Sequence, residues 1–351
     1  MPAHLDAIVK AYRGTSKRAA GSGTATNTPE AEDVSYLTNV AIGTPAQTLP
    51  LDFDTGSSDL WVFSSETPSD EVNGQKTYDA ASSTTAKQLS GATWSISYGD
   101  GSSSSGNVYT DTVTIGNLTY ASQAVEAATT VSDEFTEDSA NSGLVGLAMS
   151  SLNTVSPTAQ NTFFDNIKST LTSPLFVANL NHDAPGTYTF GAIDFTGTVL
   201  YADLYNTSQD LSGYWTFQST GYARAVTLTD ETITGIADTG TTLLMLPDDV
   251  VAAYYAQVSG AEDSTAEGGY VFPCDSTMPD FSFGVGDGAI TVPGDYINWS
   301  AVDTTNTTCY GGLQSDASIG FSIFGDIALK SAYVVFDGGE QRVGWAQKAS
   351  V

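Results

Sequence analysis

Two short stretches carry the residue types from which acid–base chemistry is built. Asp54-Thr55-Gly56 lies within Leu51-Asp52-Phe53-Asp54-Thr55-Gly56-Ser57-Ser58, and Asp238-Thr239-Gly240 within Gly235-Ile236-Ala237-Asp238-Thr239-Gly240-Thr241-Thr242. Each is an apolar run, an acid, a Thr, a Gly and two hydroxyl residues. One such tripeptide would be an ordinary turn; two with matched flanks point to one structural unit used twice. If Asp54 and Asp238 meet in a partly dry site, their charges repel and one proton is held between them. The pair then titrates as a unit. Its ionised member takes a proton from water while its neutral member donates one to a carbonyl oxygen. Such a site hydrolyses an amide with neither a covalent intermediate nor a metal. Gly56 and Gly240 would let the two loops approach closely. Thr55 and Thr239 could bond the opposite loop, and Ser57 and Thr241 could each donate to their own loop's Asp.

The elements that must position these residues are also repeated. Leu144-Val145-Gly146 follows the first Asp-Thr-Gly and Ile323-Phe324-Gly325 the second, at similar intervals. A repeat this long is a duplicated domain rather than a solenoid, and 351 residues suit two domains. Leu49, Leu51 and Phe53 alternate with Pro50, Asp52 and Asp54, which predicts a strand carrying Asp54 on the face opposite its apolar side chains. Trp94, Ile96 and Tyr98 alternate into Gly99-Asp100-Gly101, a hairpin turn. Phe163, Phe164, Ile167 and Leu171 have helical spacing, as do Val250, Val251, Tyr254, Tyr255 and Val258 behind Pro247. Val334–Phe336 and Arg342–Trp345 read as a closing hairpin. The expected fold is mainly β with a few short helices. Its expected boundary lies near residue 197, so that 19–197 and 198–351 form the two halves, with 19–33 a flexible lead-in.

Composition narrows the function. Hydrophobic content of 40% supports a proper core, and no run of eighteen apolar residues marks a membrane span. A net charge of −29 argues against nucleic acid and anionic membranes; it suits solubility, or work in acid where self-repulsion falls. Two Cys and two His make no tetrahedral zinc set, and neither metal nor cofactor is expected. Cys274 and Cys309 are either buried free thiols or a disulfide, the latter favoured in a secreted chain. Sequons begin at Asn117, Asn206, Asn298 and Asn306. Residues 1–18 hold Lys10, Arg13, Lys17 and Arg18 against Asp6, which reads as a basic tail or as the last part of a propeptide; no signal-peptide core precedes it. A serine hydrolase would need a partnered His, and neither His4 nor His182 has one. A glycosidase also uses two carboxylates but does not account for matched Asp-Thr-Gly loops. An inactive binding relative is the remaining alternative.

Leu51–Leu60, Tyr98-Gly99-Asp100-Gly101, Leu144-Val145-Gly146, Asp238-Thr239-Gly240-Thr241 and Ile323-Phe324-Gly325-Asp326 together resemble the pepsin family of aspartic endopeptidases, and within it the secreted fungal members. The resemblance spans roughly residues 30–346. It implies two pseudo-twofold-related β lobes flanking a cleft for extended peptide, with a β-hairpin flap. It makes Asp54 and Asp238 the catalytic pair and Thr55 and Thr239 interlocked threonines. Gly56 and Gly240 would be the glycines whose backbone meets the peptide. Tyr98, Gly99 and Asp100 match the flap tip, and Trp61 the residue that steadies Tyr98. Asp100 implies acceptance of Lys before the cut besides large apolar residues. The basic 1–18 segment matches the tail of an inhibitory propeptide. A secreted monomer acting on protein and peptide substrates and blocked by pepstatin-type inhibitors is the expectation. Ser142, Met149 and Val343-Gly344-Trp345-Ala346 depart from the usual pattern without touching the pair.

Overall fold

The computed structural model describes residues 21–205, 211–224, 231–302 and 304–349; the proposed propeptide remnant, 1–18, and the sequon at Asn206 lie outside these. The protein is mainly β and bilobal, with few and short helices. A shared sheet joins its halves. From the middle outward, Leu175–Asn181, Ala184–Phe190 and Gly23–Pro29 lie on one side, and Ala332–Asp337, Arg342–Gln347 and Leu200–Asp203 on the other. The two central strands run antiparallel, with Val177 opposite Val335. Each side therefore consists of the closing hairpin of one half followed by that half's opening strand, which is the topological form of the duplication.

Beyond Gly23–Pro29 the sheet continues through Tyr36–Ile42, Gln47–Asp54, Gly143–Gly146, Leu60–Val62, Leu118–Val131, Ser103–Ile115 and Lys87–Ser97. The second half carries a five-stranded sheet, Thr216–Ser219, Ile233–Ala237, Ser322–Phe324, Leu244–Leu246 and Leu313–Ser315, besides sheets of three and four strands. The predicted hairpin around Gly99-Asp100-Gly101 joins Lys87–Ser97 to Ser103–Ile115, with Ser97 opposite Ser103 and a shift of register between Gln88 and Thr93.

The apolar-apolar-Gly repeats now acquire a physical meaning. Gly143–Gly146 runs parallel to the strand that ends at Asp54, with Phe53 opposite Val145 and Asp54 opposite Gly146. On its other side it pairs antiparallel with Leu60–Val62, the strand that leaves the loop. In the second half Ser322–Phe324 sits in the same way between Ile233–Ala237 and Leu244–Leu246. Each short strand thus threads its own Asp loop and clamps both of its stems. Only glycine passes. A Cβ at Gly146 would lie 2.5 Å from Ser58 Cα, and one at Gly325 only 2.2 Å from the Thr241 carbonyl.

Between the halves Phe176 stacks on Phe336 with ring centroids 4.7 Å apart, and the buried Trp215 packs edge-on against both. Trp215 Nε1 donates to the Leu147 carbonyl at 2.8 Å, linking the second half to the residue just after the first threading strand. The helices Phe163–Ile167 and Asp248–Tyr255 form where periodicity placed them and bury their apolar faces. Two local expectations change. Segment 21–33 is no loose lead-in: Gly23–Pro29 is paired on both edges, its Thr residues facing out while Ala25 and Asn27 are buried. The strand carrying Asp54 does not keep a polar open face, because Asp52, Phe53 and Asp54 are all buried at its end.

Candidate active site

Asp54 and Asp238 come together although they stand far apart in the sequence. Gly240 is packed so closely against Asp54 that a Cβ there would lie 2.3 Å from Oδ1. Gly56 is packed likewise against Asp238, at 2.5 Å. A side chain at either glycine would therefore collide with the opposite carboxyl. Both acids are almost fully buried, at 4% and 6% exposure. The loops are tied by reciprocal bonds: Thr55 N donates to Thr239 Oγ1 at 3.1 Å, and Thr239 N to Thr55 Oγ1 at 3.0 Å. Thr55 Oγ1 then donates to the Ala237 carbonyl at 2.9 Å, and Thr239 Oγ1 to the Phe53 carbonyl. Each hydroxyl thereby satisfies a buried backbone group of the other half. Such buried groups are costly to leave unpaired.

The same loops hold the carboxyls. Gly56 N donates to Asp54 Oδ1 at 2.7 Å, and Ser57 Oγ to Asp54 Oδ2. Gly240 N donates to Asp238 Oδ1 at 3.0 Å, and Thr241 Oγ1 to Asp238 Oδ2 at 2.7 Å. Burial, and then the Asp238 charge, push the Asp54 carboxyl up to about 8, against the pull of the Ser57 and Gly56 bonds; a carboxyl–carboxyl hydrogen bond with Asp238 adds to the rise. The arrangement can hold one proton between two oxygens while presenting a base and an acid to the same reacting atoms.

Three further groups surround the pair that sequence reasoning left without a role. Asp52 lies behind Asp54, and burial followed by the charges of Asp54 and Asp238 pushes its carboxyl well up. Asp326, just after the second threading strand, is likewise raised by burial and then by the Asp52 charge. Tyr214 faces the pair from the second half; burial and then the Asp238 and Asp54 charges raise its phenol. The motif Ile323-Phe324-Gly325-Asp326 did contain one of these acids, but nothing in its spacing told its burial.

Tyr98 and Trp61, two of the expected flap residues, are in direct contact. Trp61 Nε1 donates to Tyr98 Oη at 2.8 Å, and Phe135 packs edge-on against both rings, at 4.8 Å from Trp61 and 5.7 Å from Tyr98. Burial and then the Asp54 charge raise the Tyr98 phenol. Tyr98 N and the Ser102 carbonyl close the turn at 2.9 Å, with Gly101 at a φ of 92° that favours glycine. Gly99 and Asp100 are exposed at the tip. Asp100 Oδ1 accepts from Ser102 N at 2.9 Å and Ser102 Oγ at 2.7 Å.

Cys274 and Cys309 form a disulfide, closing the alternative left open by the sequence. Of the described sequons, Asn117 and Asn306 are exposed, whereas Asn298 is half-buried and donates to the Cys274 carbonyl at 3.0 Å. Among the described residues, Asp33, His182 and Asp183 are the one acid–imidazole group close enough to surround an ion. The ammonium of Lys330 already sits 2.8 Å from Asp33 Oδ2, the same oxygen that faces His182 Nδ1 at 2.7 Å. That cluster is an ion pair between the halves. No helix of the described chain is long and apolar enough to cross a membrane.

The eukaryotic aspartyl protease family profile matches residues 35–348. Endothiapepsin of Cryphonectria parasitica is 59% identical, over 96% of this chain and 81% of that protein. Aspergillopepsin-1 of Aspergillus oryzae is 54% identical, over 94% and 83%. Penicillopepsin-1 of Penicillium rubens is 54% identical, over 94% and 82%. The crystal structure of the aspartic proteinase from Irpex lacteus superposes with a TM-score of 0.75 at 28% identity, covering 94% of this chain and 98% of that one.

Proposed function

This chain belongs to the eukaryotic aspartyl protease family and is an aspartic endopeptidase of the fungal pepsin-like type, and from that premise we propose that Asp54 and Asp238 are its catalytic pair. The observation that carries this reading is the reciprocal Thr55–Thr239 tie, which holds one carboxyl from each half against the glycine of the other. One proton shared by two close carboxyls is a behaviour for which aspartic proteases are themselves the standing example. A water held between the pair loses a proton to the ionised carboxyl as it attacks the peptide carbonyl. The neutral carboxyl protonates the carbonyl oxygen, and the pair then passes a proton to the leaving nitrogen. Gly56 N–H and Ser57 Oγ–H keep the Asp54 charge oriented throughout, and Gly240 N–H and Thr241 Oγ–H do the same for Asp238. Tyr98, Gly99 and Asp100 fold down over an extended peptide, with Trp61 fixing the phenol.

The substrates are proteins and peptides cut internally between large apolar residues, and also after Lys, whose ammonium the exposed Asp100 carboxyl receives. The enzyme is a secreted monomer sensitive to pepstatin-type inhibitors, whose statine hydroxyl stands in for the tetrahedral intermediate. Residues 1–18 are the remnant of its propeptide, with 19–197 and 198–351 as the two lobes. The test is digestion of a denatured protein across pH 2–7, with and without pepstatin, and mapping of the cut sites. Cleavage confined to acid, abolished by pepstatin and placed beside large apolar residues or Lys is expected. Pepstatin-resistant cleavage, or cuts without regard to side chain, would overturn the reading.

A further inference from the structure

Directly beneath the Asp54 loop lies another pair of acids that the chemistry above does not use. Asp59, fully buried, ends the loop, and its carbonyl receives the threading strand's Gly146 N at 2.8 Å. Its Oδ1 accepts from Thr154 N at 3.0 Å, Thr154 Oγ1 at 2.9 Å and Asn153 Nδ2 at 3.1 Å. The same Asn153 amide donates to Glu126 Oε1 at 2.9 Å and to the Ser58 carbonyl at 3.1 Å. Glu126 is 1% exposed and stands opposite Trp61 in the neighbouring strand. One amide group thus gathers both carboxyls and the catalytic loop. The remaining oxygens, Asp59 Oδ2 and Glu126 Oε2, are buried with no donor, and neither acid has a cationic partner among the described ion pairs. Two bare carboxylates in such a place would be prohibitive. One proton between them supplies the missing donor.

We propose that Asp59 and Glu126 form a second proton-sharing carboxyl pair, a pH-sensitive fastening under the catalytic loop that holds in acid and whose loss sets the enzyme's upper pH limit. Both are positioning residues, acting through Ser58 and Trp61 rather than on substrate. The titratable groups facing them are each other, Tyr98 and, through Tyr98, Asp54. Burial and then the Asp59 charge and bond raise Glu126 well above the usual carboxylate range, and burial raises Asp59. A native-state rise means that the contribution is complete in acid and lost as pH climbs through the raised values. Full ionisation would set two like charges against each other behind Ser58–Trp61, parting the loop from the strand that steadies Tyr98.

The test incubates parent enzyme and the near-isosteric Glu126→Gln and Asp59→Asn variants between about pH 6 and 9. Each is then returned to acid and its activity expressed as a fraction of its own starting value. The midpoint of inactivation should rise by at least about one pH unit in both variants, corresponding to tenfold fewer protons; an unchanged midpoint overturns the proposal. Amide hydrogen exchange on the parent covers the case of variants that fail to fold. Across the same pH range residues 58–62 and 118–131 should lose protection before the strands of the second half; the reverse order also overturns it. The activity arm rests on the Asp54–Asp238 reading, whereas the exchange arm does not, so failures of the two are distinguishable.

Discussion

Asp54 and Asp238 can share a proton because the atoms around them leave no other arrangement. Each carboxyl is pinned by a backbone N–H and a hydroxyl of its own loop and stopped by the glycine of the other. At the hairpin tip, Asp100 is a carboxyl of a different kind: exposed, with one oxygen committed to Ser102. A hydrogen bond to a charged group contributes about 1.5–3 kcal/mol. Asp100→Ala should therefore lower kcat/KM for cleavage after Lys by roughly tenfold or more while leaving cleavage after Phe within about twofold, a ratio measured directly with paired peptides. Equal losses on both peptides would mean that Asp100 shapes the turn rather than reading charge.

Among elements, the decisive ones are the short strands that thread the two Asp loops and the aromatic layer between the halves. Trp215 belongs to both concerns, since its indole packs on Phe176 and Phe336 and bonds the Leu147 carbonyl. Trp215→Ala should cost about 3–5 kcal/mol, read from denaturant unfolding at acid pH; a loss under about 1 kcal/mol would show that the halves do not depend on that contact. Much of this was legible in the sequence, for identifiable reasons. Two matched Asp-Thr-Gly loops and their following apolar-apolar-Gly runs are local patterns repeated, so Thr55, Thr239, Gly146 and Gly325 could be singled out in advance. Period-two alternation likewise gave the flap hairpin. What stayed hidden depends on non-local layers. Alternation assigns Asp52 to a polar face, but both faces of the strand are buried at its end. Glu126 sits in a run, Ala124–Ala128, that is buried throughout, so its register carries no polar signal. Gly23–Pro29 lacks large apolar residues and is held only by its neighbours on both edges.

At the scale of the molecule, the raised carboxyls add up. Asp52, Asp59, Glu126 and Asp326 all sit above their usual range through burial, joined by Asp54, pushed up to about 8. Raised native values mean that the folded protein holds more protons than the unfolded chain from about pH 4 upward. Stability is then complete in acid and falls as pH rises from about 4 toward 8. Asp33 works in the opposite sense: burial raises it, but the Lys330 bond and charge lower it further, so its contribution is lost as pH falls below about 4. At about 1.4 kcal/mol per pKa unit, these raised acids, with Glu30 also raised by burial, outweigh Asp33 and the exposed, lowered Asp79 and Glu134, and should leave the protein less stable at pH 7 than at pH 4 by more than about 3 kcal/mol in chemical denaturation. Equal or greater stability at pH 7 would contradict that balance. On the proposed reading, catalysis is a property of the joined halves, each supplying one carboxyl of the pair. The most direct measurement is kcat/KM for Asp54→Asn, Asp238→Asn and the double variant on one peptide at acid pH. Each single change should cost at least about a hundredfold, and the double should be no worse than the single. Substantial activity in either single variant, or losses that multiply in the double, would contradict a pair working as one.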